Sequence, residues 1–114
     1  MHEVGIMSAA IDAVLAEARS RGAVRVHRVM IRIGALAGVD PDALRFAFET
    51  VTDDTPAAGS ELIVDLVPVR VHCGACAVDF ATEERAVFAC PHCGQLSGDI
   101  RAGREMELTR IEIS

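Results

Sequence analysis

The chain has 114 residues, 51% of them hydrophobic and 25% charged, a composition for one globular domain with a small appended module rather than for a disordered chain. Its net charge of −6, from 11 basic and 17 acidic residues, argues against nucleic acid as the main partner, because phosphate contacts need a basic surface. Every basic residue is an arginine, which excludes a phosphate-loop lysine, a Schiff-base lysine and a lysine general base, and no apolar run approaches the roughly 18 residues of a membrane span.

His2 and Glu3 stand where an export signal would carry positive charge, and no long apolar segment follows. A cytoplasmic protein is therefore expected. From about Ile6 to Arg21, the residues Met7, Ile11, Val14 and Ala18 recur at helical spacing, with Leu15 widening the stripe. Arg19 and Arg21 suit the negative end of the helix dipole, and Gly22 is a natural stop.

Val24 to Gly34 reads as a strand. Val29, Ile31 and Ile33 share one face, whereas Val24 and Val26 fall on the other, so the phase slips near His27 and Arg28. Asp40-Pro41-Asp42 then predicts a helix start, with a carboxylate N-cap and proline at the first helical position. Leu44, Ala47, Phe48 and Val51 supply its apolar stripe, and Asp53-Asp54-Thr55-Pro56 ends it.

Glu61 to His72 is a long strand candidate in which Pro68 points to an edge or a local irregularity. Short apolar pieces, Val78 to Phe80 and Val87 to Ala89, follow among cysteine knuckles, and Glu105 to Ile113 closes the chain as a last strand. The order predicts an α+β fold: a small antiparallel three-stranded sheet with two helices, plus an inserted zinc-ribbon-like module of four cysteines. The module interrupts the sheet between its second and third strands. Residues 1–72 and 99–114 are read as the α+β domain, and 73–98 as the metal-binding one.

The cysteines carry the chemistry. They form two pairs, Cys73-Gly74-Ala75-Cys76 and Cys90-Pro91-His92-Cys93-Gly94, with 13 residues between Cys76 and Cys90. Two cysteines separated by two residues can turn both sulfurs onto one ion, and a neighbouring glycine permits the tight turn. Two such knuckles give the tetrahedral four-sulfur set that zinc favours in structural sites. Binding would then contribute directly to folding this segment. Iron takes the same ligands, so an electron-transfer centre stays open. Redox disulfides fit less well, because a redox CxxC opens a helix in a βαβ setting and neither pair does.

Of the four histidines, His27 is expected to be a solvated or cross-strand residue. His72 and His92 are expected to lie at the surface beside the thiolates, with replacement of a cysteine by one of them as the sharper alternative. His2 is different. A large residue at position 2 favours retention of the initiator methionine, which leaves the Met1 α-amine free. That amine, the deprotonated His2 amide, the His2 Nδ1 and the Glu3 amide can form a planar nitrogen set, which suits Ni(II) or Cu(II) rather than zinc. On spacing alone, a second-position histidine without any role is the commoner case.

The Met1-His2-Glu3 start, the following helix, the paired knuckles with Cys90-Pro91-His92-Cys93-Gly94, and the closing Arg104-Glu105-Met106-Glu107-Leu108-Thr109-Arg110-Ile111-Glu112-Ile113 run together resemble the HypA/HybF family. The resemblance covers essentially the whole chain. It implies a nickel metallochaperone of [NiFe]-hydrogenase maturation that is not an enzyme, with no catalytic residues. Nickel would be transient cargo held around His2, with the Met1 amine and the Glu3 amide, in the α+β domain. Zinc would be held structurally by Cys73, Cys76, Cys90 and Cys93. The implied partners are the GTPase HypB and the hydrogenase large subunit, with urease maturation proteins for some members; the missing phosphate loop agrees with nucleotide hydrolysis belonging to the partner. A zinc-ribbon adaptor that delivers no metal is the alternative reading.

Overall fold

A computed structural model describes residues 2–114. Among them the chain forms two helices and six strands: α1 (His2–Ser20), β1 (Val26–Gly34), α2 (Pro41–Thr52), β2 (Glu61–Val67), β3 (Val69–Cys73), β4 (Val78–Thr82), β5 (Ile100–Ala102) and β6 (Met106–Ile113). Two three-stranded sheets result, in the orders β2-β1-β6 and β4-β3-β5. This is the expected α+β class with small antiparallel sheets.

The chain organises as two compact units, residues 1–31, 39–65 and 107–114 in one and residues 32–38 and 66–106 in the other. In the first unit, α1 buries Met7, Ile11, Val14 and Ala18, the predicted stripe, and α2 buries Leu44, Ala47 and Phe48. The two helices pack on each other. Asp40 caps α2 as its sequence requires: its side chain accepts from the Asp42 amide at 2.9 Å, and Pro41 occupies a position whose N–H the helix does not need. Along β1, Val26, Val29 and Ile31 are all buried, so the inward phase jumps by three between Val26 and Val29. That is the slip expected near His27 and Arg28. Arg28 sits at this irregularity and links Glu61, at 2.7 Å, with Glu112, at 3.1 Å. His27 reaches Ser114 Oγ with Nε2 at 2.6 Å, a cross-strand partner.

The long strand expected over Glu61 to His72 is two strands. Pro68 has no amide hydrogen to give to a ladder, and the chain changes sheets there, β2 pairing in one sheet and β3 in the other. The piece Val78 to Phe80 is part of β4, whereas Val87 to Ala89 is no strand and contributes one isolated bridge, Ala89 to Leu96.

The second unit includes the end of β1 and the short run that follows it, and its backbone is tied down there. Gly34 N–H donates to Glu105 at 2.8 Å, Ala35 N–H to Val67 at 2.9 Å, and Leu36 N–H to Gly103 at 2.7 Å. The approach is so close that a Cβ on Gly34 would lie 2.1 Å from the Gly103 carbonyl carbon. Gly34→Ala is therefore expected to destabilise the protein by about 1–3 kcal/mol through backbone displacement. Asp40→Ala should cost about 1 kcal/mol through loss of the cap. Urea denaturation followed by circular dichroism measures both, and a neutral Gly34→Ala would refute the close crossing.

Candidate metal centre

Strand β3 sets the centre. Alternation along an extended chain sends Val69, Val71 and Cys73 to one side, where all three are buried, and Arg70 to the other. Cys73 is the last inward position before the chain turns, so its sulfur points from the end of the strand into the core. The β3–β4 register pairs Cys73 with Val78, leaving 74–77 as the connecting turn. That turn carries Cys76 and ends on Ala77, which adopts the left-handed conformation at φ 56. Gly74, the residue expected to permit the first knuckle, is not the one with positive φ. In the second knuckle the expectation holds: Gly94 has φ 75 and its N–H donates to Cys90 O at 2.8 Å. The Cys90 amide donates to Gln95 at 3.0 Å and the Ser97 amide to Phe88 at 3.0 Å, which closes the loop behind it.

These elements bring all four sulfurs within 4.8 Å of one another. The Cys73 and Cys93 sulfurs are 3.7 Å apart, and those of Cys76 and Cys90 are 3.9 Å apart. An ion at the centre of a sulfur tetrahedron with bonds of about 2.3 Å requires edges of about 3.8 Å. The close pairs therefore have the spacing of ligands around one ion. Disulfides need about 2.0 Å, and the four cysteines are free. Cys73 and Cys90 are buried, Cys76 is half-buried and Cys93 is exposed. The donor set fits a metal ion such as zinc, and a closed four-sulfur shell leaves no coordination position for a substrate.

The thiols differ electrostatically. Backbone N–H groups of Cys93 and His92 directed at the Cys90 sulfur stabilise its thiolate and pull the thiol down to about 6, against the cost of burial. Cys76 is pushed up to about 12, chiefly by hydrogen bonding with Cys93 and Cys90 and then by burial.

His72 lies next to Cys73 in sequence, but on the opposite face of β3. Its Nδ1 is 2.7 Å from Asp79, the residue directly across the ladder, and this partner holds the Asp79 carboxyl below its ordinary range. Strand alternation thus separates His72 from the sulfurs. His92 is exposed on the second knuckle. Sequence reasoning missed Ser97, whose hydroxyl donates to His72 O at 2.6 Å and pins β3 just before the first ligand. It also missed Ala35 and Leu36, which pack against the core containing Cys73 and Cys90.

At the other end of the sequence, His2 opens α1 with an exposed side chain, its Nε2 3.5 Å from the Glu3 carboxylate, which is only 15% exposed. The Met1 amine proposed as a nickel donor lies outside the described residues.

The family model described as hydrogenase/urease nickel incorporation, metallochaperone, HypA matches residues 1–113. The chain belongs to the HypA family. The hydrogenase maturation factor HypA of Chloroflexus aggregans is 43% identical over 112 residues, covering 98% of each chain. That of a Picosynechococcus strain is 40% identical over 113 residues, covering 99% of each. A solution structure titled as HypA protein aligns with TM-score 0.65 at 26% identity, covering 100% of this chain and 97% of the other. The Ni metallochaperone HypA from Helicobacter pylori shares the fold with TM-score 0.64 at 24% identity, covering 97% and 96%. No helix among the described residues is long and apolar enough to cross a membrane.

The unequal thiols lead to a measurable expectation. A thiol pulled down to about 6 is already ionised at pH 7.5, so zinc uptake by the metal-free protein should release fewer than four protons there. Release should increase as the pH falls below about 6. Calorimetric zinc titration in buffers of different ionisation enthalpy counts the protons, and a full four at pH 7.5 would contradict the assigned Cys90 environment.

Proposed function

We propose that this chain is a nickel metallochaperone that binds Ni(II) at its N-terminus and passes it on during [NiFe]-hydrogenase maturation, while zinc on Cys73, Cys76, Cys90 and Cys93 holds the second unit together. The supporting observation is the pairing of a full-length HypA-family match with an exposed His2 at the head of a helix. Nickel is the cargo and zinc the resident ion. We assign nickel to the α+β portion, 1–72 with 99–114, and zinc to 73–98.

The local geometry favours this use of His2. The first N–H groups of a helix have no intrahelical acceptor, so the amides of His2 and Glu3 can lose their protons to a metal without breaking a helical hydrogen bond. The helix dipole stabilises the negative charge that develops there. Nε2 lies 3.5 Å from the Glu3 carboxylate, near enough for that carboxylate to close in as the acceptor that commonly orients a ligating histidine, with Nδ1 left for the ion. Nδ1, both amides and the Met1 amine make up a planar nitrogen set, which selects a square-preferring ion over zinc. The chain supplies binding and release rather than catalysis. It acts in the cytoplasm, with the GTPase HypB providing nucleotide hydrolysis and the hydrogenase large subunit, or urease maturation proteins, receiving the metal.

His2→Ala should weaken nickel binding by more than the roughly 100-fold that loss of an outer-sphere partner costs, with the zinc content unchanged. Extending the chain ahead of Met1 should have the same effect by removing the free amine. Paired nickel titrations with metal analysis measure both, and equal affinities for all three proteins would leave only a zinc-ribbon adaptor. Glu3→Ala should cost about 10- to 100-fold in nickel affinity through loss of ring orientation, measured in the same titration.

A further inference from the structure

For an acidic chain, the arginines are placed unevenly. Arg19, Arg21 and Arg25 crowd the end of α1 and the approach to β1. Arg21 is neutralised by Glu17 one helical turn earlier. Arg25 gives its guanidinium to the Ala58 carbonyl at 3.1 Å, and neither it nor Arg19 meets a carboxylate among the described residues. The helix dipole accounts for positive charge at Arg19, but it has no bearing on Arg25, which lies beyond the helix.

Beside Arg19 is an apolar pocket of about 120 Å³, lined by Leu15, Ala18, Arg19, Ala23 and Pro56. Val24, adjoining the lining residue Ala23, is 81% exposed. Its backbone is held in place: the N–H groups of Val24 and Arg25 donate to Ser114 O at 2.8 and 3.0 Å, and that of Ala23 to Ala18 O at 2.9 Å. An exposed β-branched residue in a pinned turn loses little entropy on being covered, and guanidiniums without carboxylates can take planar acidic partners in bidentate pairs.

We propose that this corner of the first unit docks an acidic segment of another protein that carries one aliphatic side chain. The aliphatic group enters the pocket against Leu15, Ala23 and Pro56, the docked segment covers the exposed Val24 next to it, and flanking carboxylates pair with Arg19 and Arg25. Charge complementarity selects the partner: a net charge of −6 repels acidic chains elsewhere on the surface, so an acidic segment is favoured where the arginines gather. The apolar anchor distinguishes such a segment from a mere polyanion. The proposal does not depend on nickel or zinc, and its failure would leave the metal reading as it stands.

The test is methyl-detected NMR of the full zinc-loaded chain titrated with two pentapeptides, leucine between paired glutamates and serine in the same place. The leucine peptide should give saturable shifts at Leu15, Ala18, Ala23 and Val24 that weaken as salt is raised. Affinity should fall about tenfold for the serine peptide, for Val24→Ser, and for Arg19→Gln combined with Arg25→Gln, in line with the loss of one anchor contact. Methyl shifts of Met7 and Leu44 check that each variant is folded. Equal binding of the two peptides, equal shifts with oligothymidylate, shifts that grow with protein concentration alone, or no response at Val24 would each overturn the proposal, the third by identifying a second copy as the occupant.

Discussion

Two of the four sulfurs are also core side chains, and this double duty governs the second unit. Cys73 and Cys90 are buried with Val69, Val71, Phe80 and Phe88 in one cluster, with Cys76, Ile100, Ala35 and Leu36 packed around it. The cluster is small for a freestanding hydrophobic core. An ion held by thiolates rooted in it would join the two knuckles and supply folding free energy that the apolar area alone does not. The strand and the turns depend on one another: β3 aims Cys73 inward, and the knuckle turns bring the other three sulfurs to meet it.

Metal chemistry and strand geometry separate cleanly around that cluster. Because β3 alternates, the imidazole beside Cys73 belongs to the outer face and to Asp79, not to the sulfurs. The first unit has a different economy. Its helices bury regular apolar stripes, the cap of α2 comes from local sequence, and the residues proposed to meet partners stand at its periphery: His2 at the head of α1, Arg19 in its last turn, and Val24 and Arg25 past its end.

Much of this was legible in the chain. The α1 stripe, the Asp40-Pro41 start of α2, the phase slip along β1 and the convergence of four cysteines each follow from local rules of spacing, capping or ligand geometry, and each is present. The split at Pro68 was signalled by the missing amide hydrogen, though the sequence does not say that the halves join different sheets, since sheet membership is decided by partners far along the chain. The left-handed turn at Ala77 was hidden because glycine at position 74 offered the obvious candidate. The roles of Ala35, Leu36 and Ser97 could not be read at all. Small or ordinary residues carry no pattern, and their importance arises only from what long-range folding places beside them.

The run from Arg32 to Gly38 has a further implication. It comprises the end of β1 and the start of the connection to α2, yet it hydrogen-bonds to Val67, Gly103 and Glu105 and covers the cysteine cluster with Ala35 and Leu36. The cysteine-bearing segment is therefore not a portable cassette. Excised at its own cysteines, or even from 66 to 106, it would leave behind one wall of its interior, and evolution could graft it onto another scaffold only by bringing along a second, discontinuous strip of chain.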